Sequence, residues 1–237
     1  MNAALRLKSL LRRRLPGVVN SLVRMEDGLY RLRLGRGVFI DIYERNAWGG
    51  VESRSGSGST LEQTKAIRTA IPRLLRDLDV RSLLDIPCGD HHWMKEVPLE
   101  GIEYIGMDIV PPLVERNQRL YGSGRKAFFK GDLVRDSLRK VDLILCRDCF
   151  GHLPHGDIIE ALRNIKRSGS TYLLTTTFPE RTKNEELNRF GWRPLNLQLS
   201  PFDLPPPIIA INENCTERDG QYSDKGLGLW KIPDLVP

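Results

Sequence analysis

No apolar run in the 237 residues approaches the ~20 consecutive positions that a membrane-spanning helix needs. Cysteine is scarce: there are four, Cys88, Cys146, Cys149 and Cys215. The C-x-x-C of Cys146 and Cys149 has no second pair to match it, which argues against a zinc ribbon. Cys146 closes the apolar run VDLILC, where a thiol acts as a small hydrophobe. Internal repeats and low-complexity tracts are absent. So is the G-x-G-x-x-G turn of dinucleotide-binding sheets. No large basic stripe interleaved with aromatics runs through the body of the chain, so no nucleic-acid partner is expected. The first residues lack the sustained apolar segment of a secretory signal, because Leu15-Pro16-Gly17 breaks the pattern early. Thiols without such a signal point to a reducing, cytoplasmic setting.

What is present is ordinary globular composition, with 40% apolar and 28% charged residues. The excess charge is local. Met1 to Arg14 contains Arg6, Lys8, Arg12, Arg13 and Arg14 and no acid, and so accounts for nearly all of the net +6. This leader reads either as a solvated amphipathic helix or as a peripheral contact with an anionic membrane surface.

Residues 18–45 alternate loosely and predict a short hairpin or an irregular N-terminal layer. Residues 46–60, NAWGGVESRSGSGST, are too polar and glycine-rich for a regular element and read as a loop. Ser59 or Thr60, followed three residues later by Glu62 or Gln63, caps a helix over 61–78 whose apolar face carries Ile67, Ile71, Leu74 and Leu75. From there strands at 82–86, 103–109, 126–133, 141–148 and 170–178 alternate with helices at 111–121 and 155–166. This is the pattern of a parallel α/β sheet. Two short strands, 208–212 and 227–232, close the sheet as an antiparallel pair. The division is thus a leader and loop over 1–60 and one domain over 61–237.

Ligands of open α/β sheets bind beyond the carboxyl ends of the strands. There the sequence delivers Asp85 and Asp90 in DIPCGD, Asp108 in GMD, Asp132 in GDL and Asp148 in CRD. A single such acid reads as a helix cap, as Asp90 would be for a helix that follows it. Four successive strands, each ending on a carboxylate at one rim, mark a site. Asp108 follows Asp85 by 23 residues, close to the offset at which an acid meets a ribose. An acidic first turn repels pyrophosphate and suits a nucleoside that carries an ammonium group, as S-adenosylmethionine does.

The ordered set LLDIPCGD, YIGMDIV, KGDLV and DLILCRD, over about residues 60–180, resembles class I S-adenosylmethionine-dependent methyltransferases. The resemblance implies a Rossmann-like, seven-stranded mixed sheet with helices on both faces, here with an N-terminal extension. It also implies roles. Asp85 and Gly89 line the methionine end of the cofactor, Asp108 accepts from the ribose hydroxyls, and Asp132 meets the adenine amino group with Leu133 packing nearby. Arg147 lies under the methionine moiety or beside the substrate. The loop becomes a lid, with Trp48, Ser53, Gly56 and Thr64 as contacts. The W-G-x-x-E-S-x-S-G-x-G-S segment is similar to segments of bacterial methyltransferases of glycan pathways, such as those that methylate mycobacterial methylmannose polysaccharides. Proline and cysteine stand where many relatives carry a second glycine.

Residues 148–155, DCFGHLPH, follow the fourth strand, where class I enzymes face the transferable methyl. A sugar hydroxyl needs a general base, which assigns His152. Asp148 serves as base, as orienting partner of His152, or as ligand to a divalent cation such as Mg²⁺. His91 and His92 read as partly exposed. No N-P-P-Y or D-P-P-Y follows the strand, which argues against methylation of base or glutamine nitrogens. In the tail, Trp192, Arg193, Asn196, Phe202 and Glu213 form a candidate cleft for a carbohydrate or another small acceptor. The competing readings are a methyltransferase for a lipid-linked acceptor and a cofactor-binding scaffold without turnover.

Overall fold

The structure is a computed structural model that describes residues 37–187 and 191–235. The chain falls into two compact units, residues 1–41 and 42–237. Of the first, only residues 37–41 are described, and they open helix α1 (Gly37–Arg45). The expected hairpin is therefore corrected at its end: Gly37–Arg45 is helical, with Val38 and Ile42, one turn apart, both buried. The leader Met1–Arg14 lies outside the described residues.

The second unit is built on a sheet of order β3-β2-β1-β4-β5-β7-β6. Its strands are β1 (Ser82–Asp85), β2 (Glu103–Asp108), β3 (Lys126–Lys130), β4 (Leu143–Cys146), β5 (Tyr172–Thr177), β6 (Ile209–Asn212) and β7 (Gly226–Lys231). The first five run parallel, and β7 pairs antiparallel with both β5 and β6. Both faces are covered. Leu83 and Leu84, neighbours that point to opposite sides of β1, are each fully buried. Ile144, Leu145 and Cys146 of β4 are likewise enclosed, as expected of a central parallel strand.

Among the described residues, three helices serve the sheet: α2 (Lys65–Asp77), α3 (Pro111–Tyr121) and α4 (His155–Arg167). Proline begins α3, where its missing N–H costs nothing. Ile158, Ala161, Leu162 and Ile165 of α4 pack on the face that carries Leu84, Ile144 and Leu173. The start of α2 is later than predicted. Thr60 Oγ1 does accept from the Gln63 N–H at 3.3 Å, but it caps a turn that precedes the helix. The strands end earlier than predicted, which leaves Arg147-Asp148 and Gly131-Asp132 beyond the last ladder bonds.

No α-helix separates β1 from β2; a short 3₁₀ turn at Met94–Glu96 stands there. Asp90 thus has no helix to cap.

Candidate active site

The parallel strands carry Asp85, Asp108 and Asp148 to one rim, as their order requires. Asp85 and Asp108 are buried, and burial raises both carboxyls, to about 7 and about 6. The Asp108 carboxylate accepts from the backbone N–H of Gly89 and of Val110, each at 3.1 Å. Asp85 Oδ2 accepts from the Tyr104 hydroxyl at 2.6 Å. Asp132 lies beyond β3, with Oδ1 accepting from the Val134 N–H at 2.9 Å, while Leu133 is buried in the core.

Gly89 has φ +54°, a left-handed conformation that favours glycine. A Cβ there would stand 2.4 Å from Ser55 Oγ. The 46–60 loop therefore lies directly over the first turn, and Asp90 holds it there. Its carboxylate accepts from Ser53 Oγ at 3.0 Å, the Arg54 N–H at 2.8 Å and Ser55 Oγ at 3.2 Å, while its own N–H donates to Ser55 Oγ at 2.9 Å. Glu52 adds a second tie, accepting from the Leu61 N–H and from His92 Nε2 at 2.8 Å each. Trp48 packs against Gly56, another left-handed glycine. Thr64 is fully buried, and its hydroxyl donates to the Thr60 carbonyl at 2.7 Å.

A second cluster lies beyond β4. Arg147 donates through Nε and Nη2 to the two carboxylate oxygens of Glu213, at 3.1 and 2.6 Å, and through Nη2 to the Gly58 carbonyl at 2.8 Å. Its Nη1 is 3.1 Å from Asp148 Oδ2, and its guanidinium lies over the Trp93 ring. Lys225 Nζ donates to Asp148 Oδ2 at 2.7 Å and lies 3.6 Å from Glu213. Two cations thus meet two carboxylates. Despite burial, Arg147 and Lys225 hold the Asp148 carboxyl down at about 2. Asp148 has φ +53°, and its Oδ1 is buried without a hydrogen-bond partner. Among the described residues no three His, Cys, Asp or Glu side chains converge as a metal site.

His152 sits on the 3₁₀ turn Phe150–His152. Its Nδ1 is 2.9 Å from the Gly191 carbonyl. A carbonyl only accepts, so Nδ1 carries the proton and Nε2 is the basic nitrogen. Burial lowers its pKa from the ordinary value. The Trp48 ring lies 5.5 Å from it, centroid to centroid.

The tail serves the site indirectly. Arg193 donates through Nη1 to the Phe150 and Gly151 carbonyls, at 3.2 and 2.9 Å, and through Nε to Glu185 O. Asn196 donates to the Pro179 and Arg181 carbonyls at 3.1 Å each. Phe202 is 2% exposed and edges against His155. The expected cleft wall is therefore corrected at these three residues. A segment without a ladder must satisfy its carbonyls with side chains, and these side chains are spent on that. Glu213 is likewise committed to Arg147. Trp192, half-buried against Phe178 and Tyr222, lies close over Gly151, next to His152. His91, expected partly exposed, is 1% exposed.

Lys225, Ser55, Tyr104 and Lys126 were not read from the sequence as functional. A signal for Lys225 existed: β7 runs antiparallel, so its first residues lie at the rim where the parallel strands end.

A methyltransferase-domain family model matches residues 60–202. The chain belongs to this family. Its architecture and family are those of class I, S-adenosylmethionine-dependent methyltransferases. The fold is similar to that of the N-methyltransferase NodS from Bradyrhizobium japonicum, solved with S-adenosylhomocysteine. The two share 15% identity and a TM-score of 0.58, over 82% of this chain and 98% of that one. A 1,6-didemethyltoxoflavin N1-methyltransferase from Burkholderia thailandensis, solved with its ligand and S-adenosylhomocysteine, gives 15% and 0.55 over 83% and 86%. The methyltransferase domain of a bacterial Hen1 gives 15% and 0.52 over 73% and 100%. None of the curated proteins matches in sequence. No helix among the described residues is long and apolar enough to cross a membrane.

Proposed function

We propose that this methyltransferase acts on a hydroxyl group of a carbohydrate or another small acceptor, with His152 as general base. The observation that carries this reading is the His152–Gly191 hydrogen bond, which fixes the tautomer with a basic Nε2 on the segment after β4.

The residues at the rim suit the cofactor. Asp108 gives two of its lone-pair positions to backbone N–H groups and, as a carboxylate, has others for ribose hydroxyls. Asp85 would face the ammonium group, Gly89 offers the close approach of bare backbone, and Asp132 with Leu133 would meet the adenine. Trp48, Ser53, Gly56 and Thr64 belong to the loop that closes over this end. Arg147 acts through the loop, because its Nη2 holds the Gly58 carbonyl. When bound, S-adenosylmethionine supplies an electrophilic methyl on a sulfonium. His152 Nε2 would take the proton of an acceptor hydroxyl held beside that methyl, leaving the oxygen free to attack. Burial keeps the imidazole neutral and able to do so at neutral pH. Trp192 provides a flat ring beside the same turn on which a sugar can stack.

Two of the proteins similar in fold are N-methyltransferases, so an amine acceptor is the second reading. Transfer of radiolabelled methyl to a panel of matched sugars, alcohols and amines tests the proposal. Label in a hydroxyl-bearing acceptor supports it, and label only in amines overturns it. For residues 1–14 we propose contact with an anionic membrane surface, tested by co-sedimentation with anionic and neutral vesicles.

A further inference from the structure

Beneath the rim, three contacts, two of them buried and the one to Lys126 half-buried, join four side chains from separate elements. Lys126 Nζ, at the start of β3, lies 3.3 Å from His91 Nε2. His91 Nδ1 lies 3.2 Å from the Tyr104 hydroxyl on β2. That hydroxyl is 2.6 Å from Asp85 Oδ2. The sheet register sets Tyr104 opposite Lys126, which brings both ends of the imidazole within reach.

The chemistry of these groups allows one direction only. An ammonium has donors and no lone pair, so Lys126 donates and His91 Nε2 accepts. The imidazole proton is then on Nδ1 and is donated to the Tyr104 oxygen. The tyrosine hydrogen is left for Asp85 Oδ2, which must accept. The opposite order would start from a protonated Asp85 and finish with a proton on Nε2, facing the ammonium. Lys126 forbids it.

We propose that Lys126, His91 and Tyr104 form a one-way hydrogen-bond relay that positions Asp85 as an ionised acceptor for the cofactor's ammonium group. The proposal rests on the cofactor reading above. The three are positioning residues; none touches the cofactor. The relay opposes a real cost. Burial pushes the Asp85 carboxyl up to about 7, and the Tyr104 hydrogen bond is the largest influence bringing it down. His91 stays neutral, its pKa driven down to about 3 by burial and by Lys126 and Lys95. A neutral imidazole donating into the phenol oxygen makes the phenol hydrogen a stronger donor. The rings of Tyr104, Tyr121 and Phe128 pack around His91, each 5.0 Å away centroid to centroid. Asp85 is faced by Tyr104 and Asp108 from β2, by Cys88 from the turn and by Cys146 and Arg147 from β4. In the relay, Lys126 reaches Asp85 by way of His91 and Tyr104.

The test is a carbon-13 titration of the Asp85 side-chain carboxyl in the full chain without ligand. It is run for the wild type, Tyr104→Phe, Lys126→Met and the double variant, with thermal melts confirming that each folds. Tyr104→Phe should move the midpoint up by about one unit, leaving roughly fivefold less ionised carboxylate at pH 7. Lys126→Met should move it the same way, and the double variant no further than Tyr104→Phe. Calorimetry with S-adenosylhomocysteine should show weaker binding in each variant near pH 7 that recovers toward pH 9. A midpoint unmoved in Lys126→Met, or a double variant that shifts by the sum of the singles, overturns the relay. Failure of the wild type to bind S-adenosylhomocysteine instead overturns the cofactor reading, and the titration still decides the relay.

Discussion

Arg147 grips Glu213 with two hydrogen bonds, Nε to Oε1 at 3.1 Å and Nη2 to Oε2 at 2.6 Å, across a separation of 66 residues. Both side chains are buried. The pair joins the end of β4 to the end of β6, and Gly58 of the loop is bound to the same guanidinium. Glu213→Ala should cost about 3–5 kcal/mol of stability, because it leaves a buried cation short of its partner. Denaturant unfolding checks this. A loss confined to acceptor KM, with stability unchanged, would return Glu213 to an acceptor-binding role.

Arg193 is tied to the turn that carries His152 through the Phe150 and Gly151 carbonyls. Arg193→Ala should lower stability by about 1–3 kcal/mol, the cost of carbonyls left without donors. Turnover should fall with it, since the turn carries His152, while acceptor KM changes little. Steady-state kinetics separate the two parameters.

Release of the loop is the expected result of Asp90→Ala. Ser53, Arg54 and Ser55 lose their common acceptor. Arg54 is then an accessible tryptic site, and limited proteolysis should cleave there several times faster than in the wild type. An unchanged cleavage rate would mean that the other ties, Glu52 to Leu61 and His92 and Arg147 to Gly58, hold the loop without Asp90.

As a carboxylate Asp108 can accept from both ribose hydroxyls, a role that protonation of one oxygen weakens, and its carboxyl is raised to about 6 by burial, against the Val110 and Gly89 N–H groups that lower it. Protonation is therefore gained as pH falls through 6 and, together with that of Asp85 at about 7, should weaken affinity for S-adenosylhomocysteine between pH 7.5 and 5.5. Asp108→Ala should cut affinity at least ~10-fold at pH 7.5, the size of a lost charged hydrogen bond. Calorimetry across this range tests both. Undiminished binding by the variant would sink the ribose role.

For His152→Ala, turnover should fall by ~10²–10⁴, the usual contribution of a positioned base, while cofactor affinity stays near that of the wild type. The sign of its pKa shift gives a second check. Burial depresses the imidazole below 6.5, so it protonates later as pH falls. The acid limb of kcat should then lie below that of an ordinary histidine. Full turnover in the variant would shift the role to Asp148.

The strands and the rim of carboxylates were legible in the sequence because a parallel sheet buried on both faces demands apolar runs, and its ligands meet the strand ends. SLLD, EYIGMD and LILC announce themselves as strands by composition, and the acid closing each follows along the chain. Separation in sequence hid the rest. Nothing local tells Glu213 that it will meet Arg147, or Asp90 that Ser53, 37 residues earlier, will need an acceptor. The tail misled for the same reason: Arg193, Asn196 and Phe202 have the chemistry of a sugar cleft, yet backbone carbonyls and the core claimed them first. Local pattern and composition thus determined the fold class and the rim. Only tertiary structure decided which polar groups remain for ligand, because burial forces each such group to find a partner, and that partner is chosen by packing rather than by sequence distance.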